Sequence, residues 1–100
     1  MSNPIGKKIR EIREAEGMSR SEFESLTGIP EGTQKLYETG RRTNIGSETL
    51  TKITRHERFK KYTMWLMNDD TDEVSGQIAP ALSPSGQEST SFRLKGKAAG

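Results

Sequence analysis

One hundred residues, of which 29% are apolar, leave room for one small domain with a thin core. There is no cysteine and only one histidine, His56, so disulfides, cysteine-based metal centres, histidine-rich metal sites and most histidine-dependent triads are excluded by inventory. The formal net charge of +2 is unevenly spread: residues 1–68 carry 13 Lys/Arg against 9 Asp/Glu, while residues 69–100 carry 3 against 5, which puts the basic excess in the part patterned to fold and suits an anionic partner.

Ile5, Ile9 and Ile12 fall at i, i+4 and i+7, one buried stripe of a first helix over residues 5–16. Asn3-Pro4 is a cap followed by a helix-starting proline, and Gly17 ends the helix. Met18 then enters the core. Ser19 and Glu22 have the spacing of a capping box for a second helix, whose apolar face is Phe23 and Leu26 and whose end is Gly28. Ile29 plugs the core, and Pro30-Glu31 open a third helix with Thr33, Leu36 and Tyr37 on its apolar side and Gly40 after it. The connection Thr27-Gly28-Ile29-Pro30 has the length and glycine that a helix-turn-helix needs.

Residues 41–46 read as a loop. Ser47 is placed to cap a fourth helix bearing Leu50 and Ile53, and a fifth helix is expected from Glu57 to Met67. There Phe59, Tyr62 and Leu66 make one stripe, and Met64, Trp65 and Met67 spread onto other faces. Beyond Asn68 the chain is rich in Asp, Ser, Gly, Pro and Thr, which predicts a flexible tail over residues 69–100 following a folded domain over 1–68. Phe92 and Leu94 alternate with polar neighbours and offer a short docked strand as the alternative. Asp69, Asp70, Asp72 and Glu73 lack the spacing of a calcium loop and read as a solvated linker. The N-terminus has no apolar run of signal-peptide length and no stretch approaches a membrane span of roughly 18 apolar residues, so a cytoplasmic protein without membrane contact is expected.

Residues 18–42, MSRSEFESLTGIPEGTQKLYETGRR, resemble the helix-turn-helix of the Cro and lambda-repressor (XRE-like) family, and the flanking IGKKIREIREAEG and SETLTKI are similar to its first and fourth helices. HERFKKYTMWLMN resembles the last helix of short phage repressor-like proteins. The resemblance implies an all-α, five-helix lambda-repressor-like DNA-binding domain with its third helix in the major groove of double-stranded DNA, usually as a two-fold dimer. By that resemblance Glu31, Gly32, Thr33, Lys35 and Leu36 form the reading face, Arg20 and Ser21 open the second helix beside DNA, and Arg41, Arg42, Thr43 and Asn44 lie along the phosphate backbone.

Glu31 either accepts from cytosine or favours the helix dipole; Leu36 either meets a thymine methyl group or is buried. Gln34 departs from the aliphatic residue usual at its position, and Gly32 takes a side chain away from the reading face, so few hydrogen bonds to bases are expected. Tyr37 is expected in the core, and Glu38 as the holder of a basic neighbour. The cluster Phe59, Tyr62, Met64, Trp65 and Met67 exceeds what one stripe hides, which predicts a homodimer interface, with ordinary core as the alternative. The expected function is transcriptional regulation by repression. A protein-interaction module, such as an antirepressor on the same scaffold, is the rival. No enzyme, cofactor or metal is expected.

Overall fold

A computed structural model describes residues 4–80. Among them the chain is all-helical, with α1 (Ile5–Ala15), α2 (Arg20–Thr27), α3 (Glu31–Glu38), α4 (Ser47–Thr54) and α5 (Thr63–Asn68), and single 3-10 turns at Lys60–Tyr62 and Glu73–Ser75. Asn3, Phe92 and Leu94 lie outside the described residues. No described helix is long and apolar enough to cross a membrane.

The local signals act at or within one residue of their expected places, with both prolines as N-caps rather than first helical residues. Pro4 is the N-cap of α1 and Gly17 follows it at φ 69°. Ser19 Oγ accepts from the Glu22 backbone N–H at 3.1 Å while the Ser19 N–H donates to Glu22 Oε1 at 2.8 Å, a complete capping box. Gly28, at φ 81°, closes α2 in the left-handed region that a side chain would resist. Pro30 caps α3, but α4 starts one residue off expectation: Gly46 is its N-cap, and Ser47 makes no capping bond.

The core joins Ile9, Ile12, Met18, Phe23, Ile29, Tyr37, Ile53, Phe59, Tyr62 and Leu66. Phe23 and Phe59 meet at its centre with ring centroids 5.0 Å apart, inclined at 49°. Leu26 does not join them; it stands 41% exposed, and the inward position next to it goes to Thr27, whose hydroxyl donates to Phe23 O and accepts from Ile29 N.

The fifth helix is shorter than its apolar pattern suggests. His56 turns the chain after α4: its Nδ1 accepts from Arg58 N, and its ring lies 4.8 Å from that of Phe59. A 3-10 turn follows, and only then α5. Phe59, Tyr62 and Leu66, spaced i, i+3 and i+7, all point inward at 0–1% exposure.

Residues 69–80, grouped with the tail by composition, fold back on this end. Asp72 and Gln77 form an antiparallel bridge, Ile78 N–H donates to Lys61 O at 2.9 Å, and Ile78 packs against the core. The Gln77 side chain caps α5, accepting from Met64 N at 3.0 Å and donating to Lys60 O at 3.0 Å. At the other end of α5, the buried Lys8 Nζ donates to Trp65 O at 3.0 Å and pairs with Asp69, the geometry in which a cation best complements a helix C-terminus.

Candidate nucleic-acid interface

The sequence of α3 divides its eight residues into two faces. Gln34, Tyr37 and Glu38 are buried, whereas Glu31, Gly32 and Lys35 are exposed and Thr33 and Leu36 are half-buried. The inward face is thus more polar than the apolar pattern implies: all three of its buried residues carry hydrogen-bonding groups, and only Tyr37 is also aromatic.

Glu38 is the hub. Its carboxylate, 1% exposed, accepts from Arg13 Nε at 3.1 Å and Arg13 Nη2 at 3.1 Å, and from Arg20 Nε at 3.2 Å and Nη2 at 2.9 Å. Arg13 also donates to Met18 O at 2.9 Å. One carboxylate therefore ties α1 and α2 to α3. Two guanidinium groups on one buried carboxylate leave a net positive charge, and Arg20 carries the accessible share of it, its side chain 35% exposed against 10% for Arg13. Glu38 holds basic neighbours as expected, although two rather than one.

Gln34, one turn earlier, is fully buried. Its Nε2 donates both protons, to Ile29 O at 2.8 Å and to Arg20 O at 2.9 Å. Two carbonyls facing one atom settle the orientation of the amide, since its oxygen could not occupy that place. The Oε1 atom is left buried without a partner among the described residues, a penalty of about 1–3 kcal/mol.

At the start of α3 the Glu31 N–H donates to Glu24 Oε1 at 3.0 Å. Glu24, seven residues away and never singled out by pattern, does the capping that Pro30 cannot do with a side chain. Acid at this end also complements the helix dipole. At the other end Gly40, at φ 79°, turns the chain and Arg42 N–H donates to Leu36 O at 3.0 Å, folding the loop onto α3.

Among the expected site residues, Ser21, Glu31, Gly32, Lys35, Arg41, Arg42, Thr43 and Asn44 are exposed. Lys35, Arg41 and Arg42 form no salt bridge with the described residues, whereas Lys8, Arg10, Arg13, Arg20, Arg58, Lys60 and Lys61 all do. The free cations thus include a run on α3 and the loop that follows it. Leu36 is half-buried, which leaves part of its side chain outward.

The expected dimer residues separate sharply. Phe59 and Tyr62, at 0% exposure, are wholly occupied in the chain's own core and have no surface to offer a second copy. The ordinary-core alternative holds for these two. Met64 and Trp65 are half-buried and Met67 is 45% exposed.

Pattern reading missed Gly6. A Cβ there would sit 2.0 Å from the Tyr37 carbonyl oxygen, so α1 crosses the last turn of α3 at a separation that only glycine permits. No sequence signal marks it, because the approach joins residues 31 positions apart.

No family model matches the chain. Over its whole length, and the whole length of the relative, the chain is 40% identical to Repressor protein C of Escherichia phage P2. Agreement of that extent over both chains is the mark of common descent, and the chain belongs to the family of the phage P2 repressor protein C.

Proposed function

We propose that this protein is a DNA-binding transcriptional repressor that places α3 in the major groove, with α2 and α3 serving as a helix-turn-helix. The relative's role as a repressor supports the function. The observation that carries the geometry is the division of α3: its polar and aromatic anchors face inward, while Glu31, Gly32 and Lys35 stand outside, followed in the chain by Arg41 and Arg42, which have no ion pair among the described residues. An α-helix fits the major groove of B-DNA, where base edges distinguish all four pairs. Lys35 is the residue for a guanine edge or a phosphate, and Arg41, Arg42, Thr43 and Asn44 run along the backbone. Arg20 and Ser21 meet the duplex from the start of α2. Such a protein acts in the cytoplasm and needs no cofactor.

The working form is a homodimer, which sets two α3 helices about 34 Å apart on consecutive turns. With Phe59 and Tyr62 committed to the core, Met64, Trp65 and Met67 supply its contact. Trp65→Ala therefore shifts the sedimenting species toward monomer and weakens duplex binding without touching DNA.

Duplexes selected by the purified protein from a random library test the reading. The selected duplex binds at nanomolar protein, and affinity falls steeply with salt; neutralising Lys35, Arg41 and Arg42 lowers the slope by about 0.9 per lost phosphate contact. Unchanged affinity and slope in that triple variant overturn it. A protein that selects no duplex but retains a protein partner belongs instead to the interaction-module class.

A further inference from the structure

Arg20 is gripped at both ends. Its main-chain carbonyl accepts from Gln34 Nε2 at 2.9 Å, and its guanidinium donates through Nε and Nη2 to Glu38 Oε1 at 3.2 and 2.9 Å. Gln34 and Glu38 lie one turn apart on the inward face of α3, the helix whose other face stands outside. The guanidinium is planar, so two bonds to one carboxylate oxygen fix the direction of the remaining edge. Arg20 Nη1 is on that edge and has no partner among the described residues.

The same amide also donates to Ile29 O, in the connection between the two helices. A residue at this position that only filled space would be apolar. An apolar side chain would leave no orphaned acceptor, yet Gln34 Oε1 is buried and unpaired. The glutamine is thus poorly explained by packing and well explained by its two donated bonds, which fix where the first residue of α2 sits against α3.

We infer that Gln34 is a positioning residue for DNA recognition: together with Glu38 it holds Arg20 at a set offset from the outer face of α3, so that Arg20 Nη1 and the α3 side chains engage one duplex in a single register. The inference rests on the DNA-binding reading above and adds a residue that never touches DNA. Gln34 sets discrimination between sequences rather than general affinity, because phosphate attraction tolerates small displacements and base-edge hydrogen bonds do not.

The test is a double-mutant cycle on a duplex that the wild-type protein selects from a random library, with a scrambled duplex as reference. Gln34→Met keeps the length of the side chain and removes both donors. It is expected to melt within a few degrees of the wild type and to lose about tenfold in affinity for the selected duplex, the scale of one base-edge contact, with the scrambled duplex unaffected. In an Arg20→Ala background the same substitution is expected to cost nothing further. Equal loss on both duplexes, an undiminished loss without Arg20, or no loss at all overturns the inference.

A second measurement covers a variant that does not fold. In the unaltered protein both Gln34 side-chain amide protons exchange slowly, and the Arg20 Nε–H resonance moves when the selected duplex is added; fast exchange or an unmoved resonance overturns the inference. A wild-type protein that selects no duplex at all overturns the DNA-binding reading and this inference with it, whereas selection without the Gln34 effect overturns the inference alone.

Discussion

Around α3 the helices are held by buried polar groups, whereas around α5 they are held by rings. Glu38 and Gln34 bind Arg13, Arg20 and the Gly28-Ile29-Pro30 connection through directed bonds of 2.8–3.2 Å. Phe59, Tyr62 and Leu66 instead pack with Phe23 and Ile53 in a cluster without internal direction, and polar groups close only its margins: Lys8 and Gln77 at the two ends of α5, Glu16 at Tyr62. Directed bonds fall where a unique orientation is needed. Apolar packing accepts exchange of similar volumes with small loss, while a hydrogen bond weakens steeply when its angle drifts. The helix with an outward face to present is oriented by bonds; the helix that completes the core is not.

Glu38→Ala has the largest expected effect. It removes the buried carboxylate from Arg13, 10% exposed, and leaves it only the distant, half-exposed Glu14 at 4.0 Å; breaking a buried pair by removing one partner costs about 3–5 kcal/mol. In a domain whose whole stability is of that order or a little more, urea unfolding should find the variant largely unfolded or nearly so. A loss below that of Leu66→Ala, about 2–5 kcal/mol, would place the apolar end in charge of both regions. Gly6→Ala comes next. Its new methyl group lies 2.0 Å from the Tyr37 carbonyl oxygen, which is backbone and cannot swing aside; overpacking of this kind costs about 1–3 kcal/mol. Amide exchange should quicken at the end of α3 and stay unchanged in α5. Uniform quickening would mean that the two regions do not respond separately.

The same division governs how much could be read in advance. Local grammar was legible: the Ile9–Ile12 stripe, the Ser19–Glu22 capping box, the Gly28 stop and the inward set Phe59, Tyr62 and Leu66 all depend on neighbours within a turn or two. The polar seam was mostly not. Counting apolar residues assigns the inner side of α3 to Thr33, Leu36 and Tyr37, yet Gln34 and Glu38 share it with Tyr37, because their partners sit 5 to 25 residues away and make burial tolerable. Leu26 was misplaced for the complementary reason: an eight-residue helix with one large buried side chain, Phe23, has little inner face left. The density of apolar residues after Glu57 points to one long helix; the chain there instead makes a 3-10 turn at Lys60–Tyr62 before the six-residue α5, and the inward stripe survives because residues three apart share a side in either geometry. The candidate reading face was legible only by resemblance. That Lys35, Arg41 and Arg42 have no ion pair among the described residues while Arg20 is paired depends on tertiary contacts.

Ser19→Ala removes half of the capping box at the start of α2, for about 1 kcal/mol. It should loosen the first turn of α2, where Arg20 sits, and leave the α5 end as it was; a thermal melt together with exchange at Arg20–Phe23 checks both halves.

Glu16 gives the smallest effect and the one in the other region. Burial pushes its carboxyl up, but hydrogen bonds from Tyr62, Lys61 and Arg58 outweigh that, and its pKa falls below the ordinary carboxylate value. A depressed folded-state pKa means that the unfolded chain takes up the proton first. The stabilisation is therefore complete above the unfolded value, near the usual glutamate range, and is lost as pH falls through the lower folded value. Between about pH 5 and pH 3, the urea midpoint of the wild type should drop more than that of Glu16→Gln, whose amide does not titrate. Because Arg58 and Lys61 are partly in solvent, salt should narrow the difference. Equal slopes would show that Tyr62 is held at the α1 end by packing alone, which would make the contrast between the two regions sharper than the geometry of Glu16 now allows.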